Sequence, residues 1–142
     1  MQLDSFFPYR LAVASEAFSR KLTEVYHREF GLSREEWRLL FLLANAKSLT
    51  SLELTQRTTL DKVQVSRAAQ RLDDKGLITR ATSEEDRRIR VFHCTPEGLR
   101  QFKKLLPQVE ACAQGMLNSM SAEDRAALDQ GVTALLKAAT EN

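Results

Sequence analysis

The sequence predicts a mainly α fold that carries one small β-hairpin. Residue patterns typical of helix N-termini recur along the 142-residue chain. Two short β-like segments flank one polar, highly charged stretch, as the strands of a hairpin flank its exposed tip. Hydrophobic residues make up 43% of the chain, which is enough for a folded core.

Helix starts are the clearest local signal. Three segments, which begin at Ser33, Thr50 and Asp61, have the capping-box pattern. In a capping box, the first side chain accepts a hydrogen bond from the backbone N–H three residues later, and the Glu or Gln at that later position accepts one from the first residue's backbone N–H. Thr95 and Ser121 precede residues favoured in a first helical turn. With hydrophobic periodicity, these starts predict helices over about 8–30, 34–46, 51–58, 62–75, 96–120 and 122–140. Proline should kink or break the fifth helix at Pro107.

The third and fourth helices form a compact pair. Only Thr59 and Leu60 separate them, and so short a turn is typical of a helix-turn-helix unit. Leu60 before the cap and Val65 at the fourth helical position predict a hydrophobic staple that fixes the angle of the fourth helix. The β-like segments 77–80 and 89–93 then predict a hairpin with an exposed tip at 81–88.

On a helical wheel, the fourth helix has one apolar side and one polar side. The apolar side, which should face the core, carries Val65, Ala68, Ala69 and Leu72. The polar side carries Val63, Ser66, Arg67, Gln70 and Asp74. Arginine matches the edge of guanine, glutamine that of adenine, and valine the methyl group of thymine. Lys62 and Arg71 lie toward the flanks, where phosphates would be, although an ordinary amphipathic helix with a solvated side is the alternative.

The predicted hairpin tip concentrates positive charge. Arg87, Arg88 and Arg90 occupy three of four positions, directly after Asp86. We predict that Arg88 enters a narrow minor groove and that Arg87 and Arg90 contact phosphates. Asp86 would pair with a neighbouring arginine and orient the tip. The alternative is a solvated turn whose arginines pair with acidic neighbours at 84 and 85.

Charge distribution favours a nucleic-acid partner. The net charge of the whole chain is only +2. Residues 57–91, however, contain nine Lys or Arg and six Asp or Glu, and the rest of the chain has a slight negative excess. The positive excess therefore coincides with the helix pair and the hairpin.

Other classes of function find little support in the sequence. No apolar run approaches the roughly 18 residues of a membrane span, and the first residues lack a secretory signal pattern. Cys94 and Cys112 have no metal-ligand spacing, which favours a reduced, cytoplasmic setting. His27 and His93 lie on separate predicted elements. Since phosphate-cradling glycine loops and hydrolase motifs are also missing, we predict no catalytic activity, no metal site and no cofactor.

Several segments together resemble the MarR family of transcriptional regulators, and the resemblance covers nearly the whole chain. The matching stretches are Tyr9–Leu11, Gly31–Ser33, Glu36–Leu40, Val65–Arg67, Arg71–Arg80, Asp86–Arg88 and Thr95–Gly98. The most specific is Asp86–Arg88 before Thr95–Gly98, since the acid and the second basic residue are the signature pair of the family's wing. Cys94 departs from the leucine that is usual there.

The resemblance implies a winged helix-turn-helix fold with dimerisation helices at both ends. The whole chain, 1–142, would form a single domain, with dimerisation helices at about 1–32 and 96–142 and the winged module at about 33–95. It also implies a homodimeric repressor that binds a pseudo-palindromic operator in double-stranded DNA. Apolar residues that a small winged module could not bury agree with a dimer; they include Phe6, Phe7, Leu128, Val132, Leu135 and Leu136. The alternative function is a winged-helix module that binds protein instead of DNA.

Many relatives release DNA when a phenolic compound or aromatic carboxylate binds between the dimerising helices and the DNA-binding lobe. Residues of types that could line such a pocket are Tyr9, Arg10, His27, Trp37 and Arg38. Trp37 in the core and His27 on the surface are the alternatives. A redox branch of the family has its reactive cysteine near the N-terminus, where this chain has none, and Cys112 is expected to be buried and inert.

Overall fold

The structure, a computed structural model, describes residues 2–141. Its helices are α1 (Phe7–Phe30), α2 (Arg34–Ala44), α3 (Ser51–Thr58), α4 (Lys62–Asp74), α5 (Pro96–Asn118) and α6 (Ala122–Thr140), after a 3-10 turn at Leu3–Ser5. Its strands are β1 (Leu49–Thr50), β2 (Ile78–Thr82) and β3 (Arg90–Cys94). The predicted mainly α fold is confirmed, and each helix boundary lies within two residues of the predicted one.

The helix caps form as predicted at Thr50 and Asp61, each of which makes a complete capping box. At the start of α2, Ser33 accepts from the Glu36 backbone N–H at 3.1 Å, but the box is not completed. The Glu36 carboxylate is instead buried and accepts from Lys75 Nζ at 2.5 Å. The second half of this predicted box is wrong, because a buried carboxylate is stabilised more by a cationic partner than by a backbone amide.

Lys75 ties three elements together. Its ammonium also donates to the backbone carbonyl of Gly31 at 3.0 Å. Gly31 ends α1 in the left-handed conformation, with φ of 67°. The end of α4 is thus bonded both to the end of α1 and to the first turn of α2.

The sheet is antiparallel and has the strand order β1-β3-β2. β1, which at two residues is too short to predict from periodicity, pairs Leu49 with Phe92. In the hairpin, Ile78 pairs with Cys94 and Thr82 with Arg90. The exposed tip therefore covers residues 83–89 instead of the predicted 81–88, because residues 81 and 82 belong to β2 and Ile89 precedes β3. We call β2, the tip and β3 the wing.

Pro107 does not end α5, so of the predicted kink or break, the break does not occur. A proline inside a helix costs about 3 kcal/mol through a lost hydrogen bond and a steric clash. Here Phe102, Leu105 and Val109 are buried on both sides of the proline. Because α5 packs against α1 and α2, burial of these side chains keeps the segments on both sides of Pro107 helical.

The core lies inside the winged module and where α1, α2 and α5 meet. Its fully buried side chains include Tyr26, Leu39, Leu40, Leu72 and Leu105. By contrast, α6 buries no residue, and large apolar side chains at both ends of the described chain remain exposed, among them Phe6, Phe7, Leu128, Val132, Leu135 and Leu136. Among residues 2–141, the helices are too short or too polar to cross a membrane.

Candidate nucleic-acid interface

The turn between α3 and α4 fixes the direction in which α4 leaves the core. Thr59 adopts the left-handed conformation, with φ of 66°, and so reverses the chain within two residues. The predicted staple residues, Leu60 and Val65, are both buried. Asp61 accepts from the Gln64 backbone at 2.8 Å, and the Gln64 side chain accepts from the Asp61 backbone at 3.0 Å. This turn anchors the first turn of α4 while leaving its outer side free.

The predicted orientation of α4 is confirmed. Its buried residues are Val65, Ala68, Ala69 and Leu72. The polar side of α4, defined as Val63, Ser66, Arg67, Gln70 and Asp74, is exposed to solvent. Val63 has 56% of its surface exposed although it is aliphatic. An aliphatic side chain held in the open is available for contact with another molecule.

An open groove of about 740 Å³ brings α4 and the wing together. Its walls include polar and cationic side chains from both elements, namely Lys62, Ser66, Gln70, Arg80, Arg88 and Arg90. The N-terminal half of α3 forms another wall, which the sequence did not lead us to predict as part of the site. Five of the ten residues predicted to contact DNA lie outside this groove: Val63, Arg67, Arg71 and Arg87, which are exposed, and Asp86, which is half-buried. We call this concavity the interface groove.

The wing tip is organised by one acidic residue. The Arg88 guanidinium donates through Nε and Nη2 to the two carboxylate oxygens of Asp86, both at 3.1 Å. The Arg88 backbone N–H donates to the same carboxylate at 3.0 Å. The side-chain bonds from Arg88 and, to a smaller extent, its backbone bond hold the pKa of Asp86 below its ordinary value. Because 90% of the Arg88 side chain is exposed, the pair directs the guanidinium without hiding it.

Most of the cationic residues predicted to contact DNA are unpaired in the described range. Within residues 2–141, five of the predicted contact residues form no ion pair: Lys62, Arg67, Arg71, Arg87 and Arg90. Pairing of the tip arginines with Glu84 or Glu85, the alternative considered for the wing, does not occur in the same range. Unpaired cations on one surface produce a positive potential that attracts polyanions.

Arg80 on β2 is a site residue that the sequence analysis missed. Its guanidinium contacts Asp73 and the side-chain amide of Gln70, and it lines the interface groove. Strand alternation was the available signal, because Arg80 lies on the same face of β2 as buried Ile78. A charged residue on the inner face of a strand requires a partner, and the end of α4 supplies one.

Comparison with known proteins agrees with this geometry. A model of the MarR family matches residues 30–89. The HTH-type transcriptional regulator YdgJ of Bacillus subtilis is 30% identical over 95 residues, which cover 67% of this chain and 58% of YdgJ. The chain is similar in sequence to regulators of the MarR family. It spans less than two thirds of the length of that curated relative.

Solved structures of MarR-like regulators share the whole fold of the chain. BpsR of Bordetella bronchiseptica, in a structure concerning regulation of its DNA binding by 6-hydroxynicotinic acid, has a TM-score of 0.85 at 18% identity. The match covers 100% of this chain and 99% of BpsR. Sco3205 of Streptomyces coelicolor, a MarR family transcriptional regulator in complex with DNA, has a TM-score of 0.84 at 18% identity, with 100% and 91% covered.

The residues predicted to line an effector pocket do not share one cavity of this chain. Tyr9 and Arg10 are exposed near the start of α1, and His27 is exposed near its end. Tyr9 and His27 lie 18 residues apart on α1, which at the rise of an α-helix is about 27 Å. One small-molecule pocket within a single chain therefore cannot contain both residues.

Trp37 and Arg38 also differ in their surroundings. Trp37 is 9% exposed, and its ring stacks on Tyr26 and Phe102 at centroid distances of 5.3 and 5.5 Å. Trp37 is thus part of the hydrophobic core. Arg38 donates to the Thr59 hydroxyl at 3.1 Å and borders a shallow cavity between α2 and α3.

Cys94 and Cys112 are free and half-buried. Cys112 is less buried than expected, and its Sγ lies 3.7 Å from the Lys21 carbonyl. Burial raises the pKa of the Cys94 thiol, which lowers its thiolate fraction at neutral pH.

Proposed function

We propose that this protein is a sequence-specific, double-stranded DNA-binding transcriptional regulator that acts as a cytoplasmic, homodimeric repressor. The observation that carries the proposal is the interface groove, where the exposed polar side of a short helix meets an arginine-rich wing. An α-helix fits the major groove of B-DNA, and an arginine at a hairpin tip fits a narrow minor groove. The DNA complex of Sco3205, a protein of the same fold, supports this assignment.

Each predicted residue has a role in the proposed complex. Side chains that contact bases are Val63, Ser66, Arg67 and Gln70. Side chains that contact phosphates are Lys62, Arg71, Arg87 and Arg90. Arg88 enters the minor groove, and Asp86 orients it through the bonds described above.

A homodimer would double the contacts and the length of the DNA site. The apolar side chains left exposed at the start of α1 and along α6 are the surface that a second copy would cover. A two-fold dimer places two α4 helices in successive major grooves, so the operator should be pseudo-palindromic.

Selection of bound fragments from genomic DNA with the purified protein tests the function. We expect one enriched motif with two half-sites about 34–36 Å apart, measured along the helix axis. Affinity for the motif should fall steeply as salt concentration rises, because phosphate contacts release counterions. Enrichment of no motif, with binding that does not respond to salt, would favour the protein-binding alternative.

We further propose that a small phenolic compound or aromatic acid releases the protein from DNA. The effector would bind between the dimerising helices and the winged module, near Tyr9, Arg10, His27, Trp37 and Arg38. BpsR, whose structure concerns regulation of its DNA binding by 6-hydroxynicotinic acid, supports this class of ligand. By thermodynamic linkage, an effector that weakens DNA affinity must bind less tightly to the DNA complex than to the free protein.

Replacing Arg88 with alanine should weaken binding most at operators with AT-rich flanks. Narrow minor grooves of A-tracts have an enhanced negative potential, and the exposed Arg88 guanidinium is already oriented by Asp86. Competition binding with operators that differ only in their flanks measures the effect. A loss of affinity that does not depend on flanking sequence would contradict minor-groove contact.

Peroxide should not release the protein from its operator. The pKa of the Cys94 thiol is raised, and the Cys112 sulfur lies against the backbone of α1. Electrophoretic mobility of the operator complex, measured with and without peroxide for wild type and Cys112→Ser, checks this. Peroxide-dependent release in wild type that Cys112→Ser abolishes would show that thiol oxidation is the signal.

A further inference from the structure

The side-chain amide of Gln70 is held at both of its ends. Its Oε1 accepts from Arg80 Nη2 at 2.7 Å. Its Nε2 donates to Asp74 Oδ1 at 2.8 Å. Gln70 is exposed on the polar side of α4 and lines the interface groove, so these bonds hold a side chain that is accessible to DNA.

These two bonds fix the direction of the amide. Rotating the Gln70 amide by half a turn would place its NH2 against the Arg80 guanidinium and its oxygen against the Asp74 carboxylate. Both new contacts would oppose groups of the same hydrogen-bonding kind and lose two charge-assisted bonds. Gln70 therefore presents its remaining acceptor site on the Arg80 side and its remaining N–H on the Asp74 side.

The shape of the guanidinium makes Arg80 suited to this task. Nε of Arg80 donates to Asp73 Oδ2 at 3.0 Å while Nη2 reaches Gln70. Only 21% of the Arg80 side chain is exposed, because β2 carries it on the inner face of the wing. A lysine at this position would keep the charge but could not hold two partners with the fixed geometry of a planar fork.

We propose that Arg80 is a positioning residue that determines base specificity at the position facing Gln70. The inference depends on the proposed function of this surface. Adenine presents an N7 acceptor and an N6 donor in the major groove, whereas guanine presents two acceptors. A glutamine amide of fixed direction can bond a base edge whose donor and acceptor lie in one order, but not a base edge with the reverse order. Wing and helix then act jointly in base discrimination, although Arg80 itself need not contact DNA.

Binding of Arg80→Lys to a panel of operators that differ at single base pairs tests the role. We expect the preference at one base pair per half-site to fall roughly fivefold or more, with preferences elsewhere unchanged. The slope of affinity against salt concentration should stay at its wild-type value. Arg100→Lys, on the exposed surface of α5 where it pairs with Glu97, is the matched control and should change neither quantity.

A second variant guards against a folding defect in Arg80→Lys. Asp74→Ala removes the opposite bond at an exposed position and should relax the same base pair. Its loss of negative charge should raise affinity uniformly on all sequences, which is distinct from a change at one base pair. Thermal unfolding of both variants near the wild-type temperature confirms that they fold.

A readout without DNA tests the bonds themselves. The side-chain amide resonances of Gln70, assigned by their loss in Gln70→Ala, should shift in the free Arg80→Lys protein. An Arg80→Lys variant with unchanged amide resonances or unchanged base preferences overturns the inference. An equal loss of affinity on all operators would also overturn it, if the slope of log affinity against log salt concentration became smaller by about one. That result would mark Arg80 as a phosphate contact. A wild-type protein without any base preference would instead overturn the proposed function, and the role of Arg80 in specificity with it.

Discussion

Replacing Arg67 with alanine is expected to lower affinity for the cognate operator by about 1–3 kcal/mol, a factor of roughly 5 to 150. Arg67 lies in the middle of the polar side of α4, is exposed, and forms no ion pair in the range 2–141. Its guanidinium can therefore donate two hydrogen bonds to one guanine, to its N7 and O6 atoms. The loss should concentrate at one base pair of each half-site.

Competition with random DNA separates this role from a phosphate contact. A base contact predicts that Arg67→Ala loses much more affinity for the operator than for random DNA. An equal loss on both, together with a smaller salt slope, would reassign Arg67 to the backbone. Arg100→Ala, an exposed arginine on α5 outside the groove, serves as the control and should bind both DNAs as wild type does.

Replacing Lys75 with methionine should lower the free energy of unfolding by about 1–3 kcal/mol, because it leaves the buried Glu36 carboxylate without its partner. The loss is smaller than for a fully buried ion pair, since 36% of the Lys75 side chain is exposed and water screens the interaction. The Glu36 side chain is only 4% exposed, and Lys75 is the partner that the structure gives its carboxylate. The variant also loses the bond from Lys75 to the Gly31 carbonyl. Equilibrium unfolding in urea measures the change.

Two further variants test the cause of that loss. Lys103→Met, at an exposed position of α5, controls for the exchange of ammonium for thioether and should leave stability within about 0.5 kcal/mol. Combining Lys75→Met with Glu36→Leu removes both charges and should recover much of the lost stability. A double variant no more stable than Lys75→Met alone would show that the cost does not come from the unpaired carboxylate.

The local features of this fold were predictable because their causes lie within a few residues of each other. Caps at Thr50 and Asp61 depend on side chains three positions away, so the starts of α3 and α4 follow from the sequence. The exposed side of α4 follows from the 3.6-residue period for the same reason. The pair of Asp86 and Arg88 also spans only two positions, and its geometry matches the prediction.

Features that depend on distant residues could not be predicted in the same way. Glu36 has the sequence pattern of a capping residue, yet its partner Lys75 lies 39 positions away. β1 exists because β3 pairs with it, and α5 continues through Pro107 because flanking residues pack against other helices. The direction of Gln70 depends on Arg80, which only the folded wing brings to α4.

Dimethyl sulfate protection on the selected operator tests the central claim most directly, because the reagent methylates guanine N7 in the major groove and adenine N3 in the minor groove. The proposed interface predicts guanine protection in two successive major grooves and adenine protection in the flanking minor grooves. Arg67→Ala should remove guanine protection at the position that Arg67 contacts in the major groove. Arg88→Ala should remove adenine protection in the flanking minor grooves. Protection of neither groove, or protection that both variants leave intact, would contradict binding of DNA by α4 and the wing.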